Sequence, residues 1–457
     1  MTSRFPILAA LFATSVLAAG CGTTLAKTPY ARPATTLSAA YVQAPAPAAA
    51  QAPGGDWWTR FSDPDLNALV SQALARNNSL AQSAISVERA QVQVGLSVIN
   101  PTVSGSLSAS DSGPVNGNGH WIKGYSGNLN VSYEADLFGR LAATKDVSRF
   151  EANATAEDYQ AARLSLIATS VDLYYQLAFL NERIALAEDS VAYTRKTLGL
   201  AQALRSAGSA SMLDTSEAEQ SLKSQQSNLE DLQRQRVATR NSIDLLLDGQ
   251  HWTPAQEPVG PGEAGIPSVA TGAPAELLSR RPDLRAAELR LREQLRQVDA
   301  TRLNFYPRLQ LTGQLGSTST ELANFLKNPI GTLGADVLLP FLQVDQMRLQ
   351  NKDAKLAYKS AVIGFRQTLY QALVDVENAL ADRRHYAEES RLLADSLVDA
   401  RRVESLDETL YRAGSTTLKV WLDAQETRRQ TEASLAQSRL NERLAQVTLY
   451  KALGGDA

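Results

Sequence analysis

The sequence predicts a mainly α protein with a small β part, built by internal duplication. Its long helices would form a coiled-coil barrel continuous with a transmembrane β-barrel. Three observations predict this. Two runs, Leu141–Arg205 and Gln343–Arg412, hold no proline and one glycine each, Gly199 and Gly364. They are rich in strong helix formers and far exceed the ~11–12 residues of an average helix. Each half also carries two segments that alternate apolar and polar residues, the period of a half-buried strand. Finally, landmarks recur: Pro101, Gly208 and Leu247 return as Pro307, Gly414 and Leu453, each 206 positions on. That period is too long for a solenoid repeat and marks duplication of a larger unit.

Taken in order, residues 1–20 look like a secretory signal peptide. Arg4 precedes an apolar stretch from Phe5 to Ala18, too short to span a membrane. It ends Ala18-Ala19-Gly20-Cys21, and Cys21 is the only cysteine, so no disulfide can form within the chain. This ending resembles a bacterial lipobox, although Ala18 stands where leucine is preferred. The resemblance implies a lipid on Cys21, and Gly22, in place of a retention aspartate, implies the outer membrane. Residues 21–55 read as a Pro/Ala-rich tether, semi-extended and without period.

The first repeat is expected over 56–249 as helix, two strands, long helix and helix. It opens on Trp57-Trp58 and Phe61, with Asp63 as N-cap and Pro64 in the first turn of a helix reaching about Ile99. Strands are expected at Thr102–Ser110 and Asn128–Leu137, with a loop at Asp111–Gly124. The long helix closes on Gly208-Ser209, where glycine suits a left-handed C-cap. Residues 250–273, with four prolines and four glycines, form an inter-repeat loop. The second repeat, 274–457, has a helix to about Phe305, strands at Leu309–Leu315 and Thr332–Leu339, a loop at Ser317–Gly331, and a long helix closing on Gly414-Ser415.

Alternation alone also fits a soluble sheet with one solvated face. Export, and a polar face of hydroxyls and amides rather than many charges, favour a membrane barrel with lipid outside and water inside. Four strands cannot close one, since membrane barrels need ~8 or more and no edge may face lipid. The barrel must be shared: two chains would give eight strands, three would give twelve, and the long helices favour the larger number.

The net charge of −3 leaves no footprint for nucleic acid. His120, His251 and His385 are far apart and lack ligand spacing. No phosphate loop, nucleophile elbow or dinucleotide motif occurs, so neither an enzyme nor a cofactor or metal is expected.

Several stretches carry a resemblance: Trp57-Trp58 with Phe61 and Asp63-Pro64, Tyr133-Glu-Ala-Asp-Leu-Phe-Gly-Arg140, Arg280-Arg-Pro-Asp-Leu284 and Phe305-Tyr-Pro307. Tyr411-Arg-Ala-Gly-Ser415, Leu422-Asp-Ala-Gln425 and Leu449-Tyr-Lys-Ala-Leu-Gly-Gly455 follow. In this order they resemble the TolC-like outer-membrane efflux proteins, in the lipoprotein branch that includes OprM and NodT. The resemblance implies a homotrimer with a 12-stranded barrel and a periplasmic helical tunnel. It also implies a periplasmic adaptor (membrane fusion protein), an inner-membrane pump of RND type, and passive export of small molecules such as drugs. The adaptor would meet the turns at Gly208, Ser209, Gly414 and Ser415. The family's gate aspartate falls on Asp423 and its gate-side tyrosine on Tyr411. Some relatives carry a gate arginine where Thr416 stands, which leaves Arg412 as a candidate by position and as the counter-charge to Asp423. A leucine constriction in relatives is replaced by Lys419, with Leu418 beside it. Two alternatives remain at this point: the outer-membrane part of a metal-efflux or protein-secretion system, and a lipid-anchored periplasmic scaffold without a pore.

Overall fold

The computed structural model describes residues 27–35, 37–43, 56–117, 119–260, 267, 269 and 271–455. Cys21 and the signal segment lie outside the described residues. The order is α1 (Pro64–Arg76), α2 (Asn78–Leu96), β1 (Thr102–Ser112), β2 (Ile122–Ala135), α3 (Arg140–Ser206) and α4 (Met212–Leu246). The second half follows with α5 (Pro282–Leu303), β3 (Arg308–Ser319), β4 (Ile330–Leu338), α6 (Val344–Arg412) and α7 (Leu418–Ala452). The duplication is visible in the lengths: α3 and α6 have 67 and 69 residues, and α4 and α7 have 35 each. Among the described residues no helix is long and apolar enough to cross a membrane.

The chain divides into two units. One gathers the described parts of Met1–Thr35, Ser86–Ala156 and Ala286–Gln367. It holds a four-stranded antiparallel sheet in the order β1-β2-β3-β4. The register puts Val103, Val131, Gly313 and Leu333 in one row, and Gly105, Leu129, Leu315 and Gly331 in the next. One face is thus apolar across all four strands, yet it is exposed, Leu333 at 92%. The other face is a hydroxyl and amide ladder. Gln310 Nε2 donates to Ser132 Oγ at 2.6 Å, and Gln314 Nε2 to Asn128 Oδ1 at 3.2 Å.

At the corner from β2 into α3, Asp136 accepts from the amides of Leu141 and Ala142. Arg140 clasps Glu134 through bonds of 2.8 and 2.7 Å. The Tyr133–Arg140 motif therefore fixes how the strand feeds the long helix.

The other unit gathers the described parts of Thr36–Ile85, Glu157–Arg285 and Thr368–Ala457. Its core stacks Trp57 on Tyr450 at 4.7 Å and packs Phe61, Val171, Tyr174, Leu369 and Val376 around them. Asp63 caps α1 as expected, accepting from Asp65 and Leu66 amides. Arg281 gathers Asp283, Asp375 and the carbonyl of Ala452, while Arg280 before it pairs with Glu276.

Three expectations are corrected. The first helix does not run unbroken to Ile99, because Asn77 interrupts it. The Asn77 side chain donates to the Leu246 carbonyl and accepts from the Leu80 amide, so it ends one helix and caps the next. Strand β2 starts at Ile122 rather than Asn128, and β3 continues to Ser319 rather than Leu315. The glycine and serine positions that read as loop are paired across the sheet, as Ser126 is with Ser108. The described part of the expected tether is also pinned. Lys27 pairs with Asp146, Thr28 bonds Asp299, and Arg32 pairs with Glu288, all within the sheet-bearing unit. In the other unit, Tyr41 is buried and the Val42 and Gln43 amides donate to Glu377.

Candidate gate and docking turns

The four sequence-predicted turn residues sit where α3 passes to α4 and α6 to α7. Both turns use the same device. Gly208 and Gly414 adopt positive φ of 79° and 72°, open to glycine without a Cβ penalty. The next amide reaches back, Ser209 to the Leu204 carbonyl at 2.8 Å and Ser415 to Leu410 at 2.9 Å. These are bonds of the Schellman type, satisfying carbonyls left open by the helix end. All four residues are exposed. The turns differ after the glycine. Ser211 and Asp214 form a capping box on α4, whereas Thr417 makes no side-chain cap on α7.

Behind the turns lies a small apolar cluster of Ala201, Ala218, Tyr411, Leu418 and Trp421. Tyr411 packs on Trp421 at 5.4 Å, and Trp421 meets Tyr193 edge-on at 6.4 Å. Burial raises the Tyr411 pKa, and Asp214 adds to it, so the phenol stays neutral. Leu418 is fully buried in this cluster, so within the protomer it is an anchor of α7 and not an exposed plug.

The charged candidates lie outside the cluster. Both oxygens of Asp423 accept from Lys419 Nζ at 3.0 Å, one helical turn apart. Arg412 instead holds Glu408, which also accepts from the Tyr193 hydroxyl at 3.2 Å. The counter-charge of Asp423 within the chain is therefore Lys419, not Arg412. The reason is spacing: each cation finds an acid four residues away on its own helix.

Sequence reasoning missed Trp421 and a second ion cluster behind it. Arg428 bridges Glu404 at 2.5 Å and Glu432 at 2.8 Å, and Arg401 adds a bond to Glu432 at 2.7 Å. It ties α6 to α7 through partly buried groups. Local spacing could signal only Arg428–Glu432.

The comparisons follow this geometry. The family model described as outer membrane efflux protein matches twice, over residues 69–249 and 273–455. The pyoverdine export outer membrane protein OpmQ of Pseudomonas putida is 30% identical over 429 residues, covering 90% of this chain and 91% of that protein. The outer membrane protein OprJ of Pseudomonas aeruginosa is 29% identical, covering 93% and 91%. A solved structure of the outer-membrane channel OprN has a TM-score of 0.79 and 28% identity, covering 94% of this chain and 98% of that one. The duplicated halves are thus two copies of one family unit, and the exposed apolar face of the sheet belongs to a membrane channel. The chain is a member of the outer membrane efflux protein family, an efflux channel of the outer membrane that extends into the periplasm.

Proposed function

We propose that three copies form a passive tunnel that exports small molecules, as the outer-membrane part of a tripartite system. A periplasmic adaptor and an inner-membrane pump of RND type complete it, and the pump supplies the energy. One observation carries the trimer. Edges β1 and β4 of the sheet have no strand partner among the described residues, and a membrane barrel tolerates no open edge. Three copies close twelve strands. The long helices continue the conduit, and the turns at Gly208, Ser209, Gly414 and Ser415 are the adaptor's docking points. Asp423, Lys419 and Arg412 line the gate side, with Tyr411 and Leu418 anchoring it. No group in this arrangement performs chemistry on the cargo.

The test is mass in detergent together with conductance in planar bilayers. A trimer of the 49.3 kDa chain, less its processed signal, with ohmic channels is expected. A detergent-free soluble monomer would overturn the reading. We also propose that Cys21 becomes the acylated N-terminus. Mass spectrometry of the mature chain should show lipid on it, and cleavage elsewhere refutes this. Cys21→Ser should weaken anchoring yet leave the barrel able to insert.

A further inference from the structure

The β3–β4 connection folds back onto the sheet. Leu322–Asn324 make a 3-10 turn, and Phe325 returns to the apolar face. Its ring approaches Gly127 so closely that a Cβ there would stand 2.6 Å from Cζ. The loop is pinned: the Ser317 hydroxyl donates to the Phe325 carbonyl, and the Lys327 amide donates to Asn324 O at 3.1 Å. Ser319 and Glu321 exchange two further bonds, of 2.9 and 3.1 Å. Between loop and sheet remains a cavity of about 510 Å3, with Gly105, Leu107, Leu129 and Leu315 as floor and Phe325 and Leu326 as roof. The floor is deep because Gly105 has no side chain; a Cβ there would meet only Asn128 O, at 3.9 Å.

We propose that this groove is a lipid-binding site that takes one acyl chain of a membrane lipid, resting on the reading of the sheet as the wall of a membrane barrel. The groove is continuous with the face that meets hydrocarbon, so its natural filler is hydrocarbon. Water is a poor occupant, because it needs 2–4 polar partners and the floor and roof are apolar. The space far exceeds the ~10–15 Å3 that a single water needs, and so has room for an acyl segment. The helices leave from the other end of the strands, so the loop lies at the outer end. Exposed Trp121 and Lys327 mark that level as the interface. Aromatic residues gather at such interfaces, and an ammonium there suits an anionic headgroup. The groove thus holds a chain by shape, where the open face is only bathed by lipid.

The experiment is native mass spectrometry of the inserted trimer, washed in mild detergent, with extracted lipid quantified in parallel. The wild type should keep one lipid per copy. Gly105→Leu puts a side chain into the floor, where its Cβ has room, and should lower retention at least tenfold. Phe325→Ala removes the roof and should do the same. Leu333→Ala, on the same face away from the groove, should retain lipid like the wild type. An inserted trimer that keeps no lipid, or keeps equal lipid in every variant, overturns the groove alone. A neighbouring chain's segment filling the space would appear as a trimer without lipid and counts equally against it. Failure of the wild type to insert would sink the barrel reading, and the groove with it.

Discussion

Helices α2 and α5 occupy equivalent places in the two repeats, yet their surroundings differ. Leu291 of α5 is 1% exposed, while its counterpart Ile85 in α2 is 56% exposed. Phe305 is 6% exposed and Ile99 58%. The α5 side is covered by its own chain. Ala300 and Leu303 pack on Ala143 of α3, and Arg290 reaches Glu151 at 3.4 Å. By the duplication α2 should lie on the start of α6 in the same manner. Instead Ile85 and Val92 of α2, with Ile99 just beyond its end, and Leu349, Leu356 and Ile363 of α6 are all exposed and seven residues apart within each set. Two such heptad stripes on one chain suit the two halves of a head-to-tail contact, which closes into a ring when repeated. We propose that the first repeat's partner is the second repeat of another copy.

The largest expected effect breaks this asymmetry. Val92→Asp or Leu356→Asp would place an unpaired carboxylate in each contact of the ring. Such a charge costs several kcal/mol per site, so the trimer should be lost in detergent. Gln297→Asp, on an exposed position of α5, should leave it intact. If all three variants remain trimeric, the stripes are not the interface.

A smaller effect probes the second cover of α5, the strap of residues 27–32. Arg32 and Arg292 both bond the buried Glu288, and Arg292 lies over the Tyr30 ring at 4.7 Å. Burial raises the Glu288 pKa, but the two guanidinium groups outweigh it and hold it below the ordinary value. A depressed carboxylate stabilises the fold above its unfolded pKa, and that stability is lost as pH falls through the folded value. Arg32→Ala should therefore lower stability by about 1 kcal/mol near neutral pH, a figure discounted because Arg32 is half exposed. The gap from wild type should close below about pH 4. Thermal melting over pH checks this, and a pH-independent gap would deny the ion pair its role.

The strap shows what sequence could and could not carry. The long helices, the duplication and the alternating strands were legible because each rests on a period that neighbouring residues share. Both glycine turns were legible because positive φ selects glycine. The strap was not: its Tyr30, like Tyr41 further on, stands among prolines and alanines, and the residues they pack against lie far along the chain. Asn77 hides its helix break for the same reason, since the carbonyl it bonds belongs to Leu246. Strand β2 was read short because its first residues carry Gly124, Ser126 and Gly127 in place of large apolar side chains; the missing side chain of Gly127 makes room for Phe325 and Leu107. At the gate, Asp423 and Lys419 were found by resemblance, and their pairing follows from a four-residue spacing. Leu418 was placed beside a constriction, but its burial depends on Trp421 and Tyr411 and could not be read from position.

The smallest effect concerns the two turns, which also differ between repeats. The first is fastened by the Ser211–Asp214 box; the second lacks a side-chain cap and bears the Lys419–Asp423 pair. On the proposed reading the second is the turn suited to move, and its charges are the ones a passing ion would meet. In a trimer, three Asp423 would attract cations, but three Lys419 one helical turn away cancel much of that field. Both side chains are exposed and screened, so each variant should move the cation-to-anion permeability ratio only about two- to threefold. Lys419→Leu should raise the ratio by uncovering the acid, and Asp423→Ala should lower it by leaving the cation alone. Arg412→Ser removes the ion pair that holds Glu408, the acid on which Tyr193 also bonds, and should raise single-channel conductance modestly. Reversal potentials in planar bilayers separate these outcomes. Equal ratios in wild type, Lys419→Leu and Asp423→Ala, with trimers intact, would remove the pair from the conduction path.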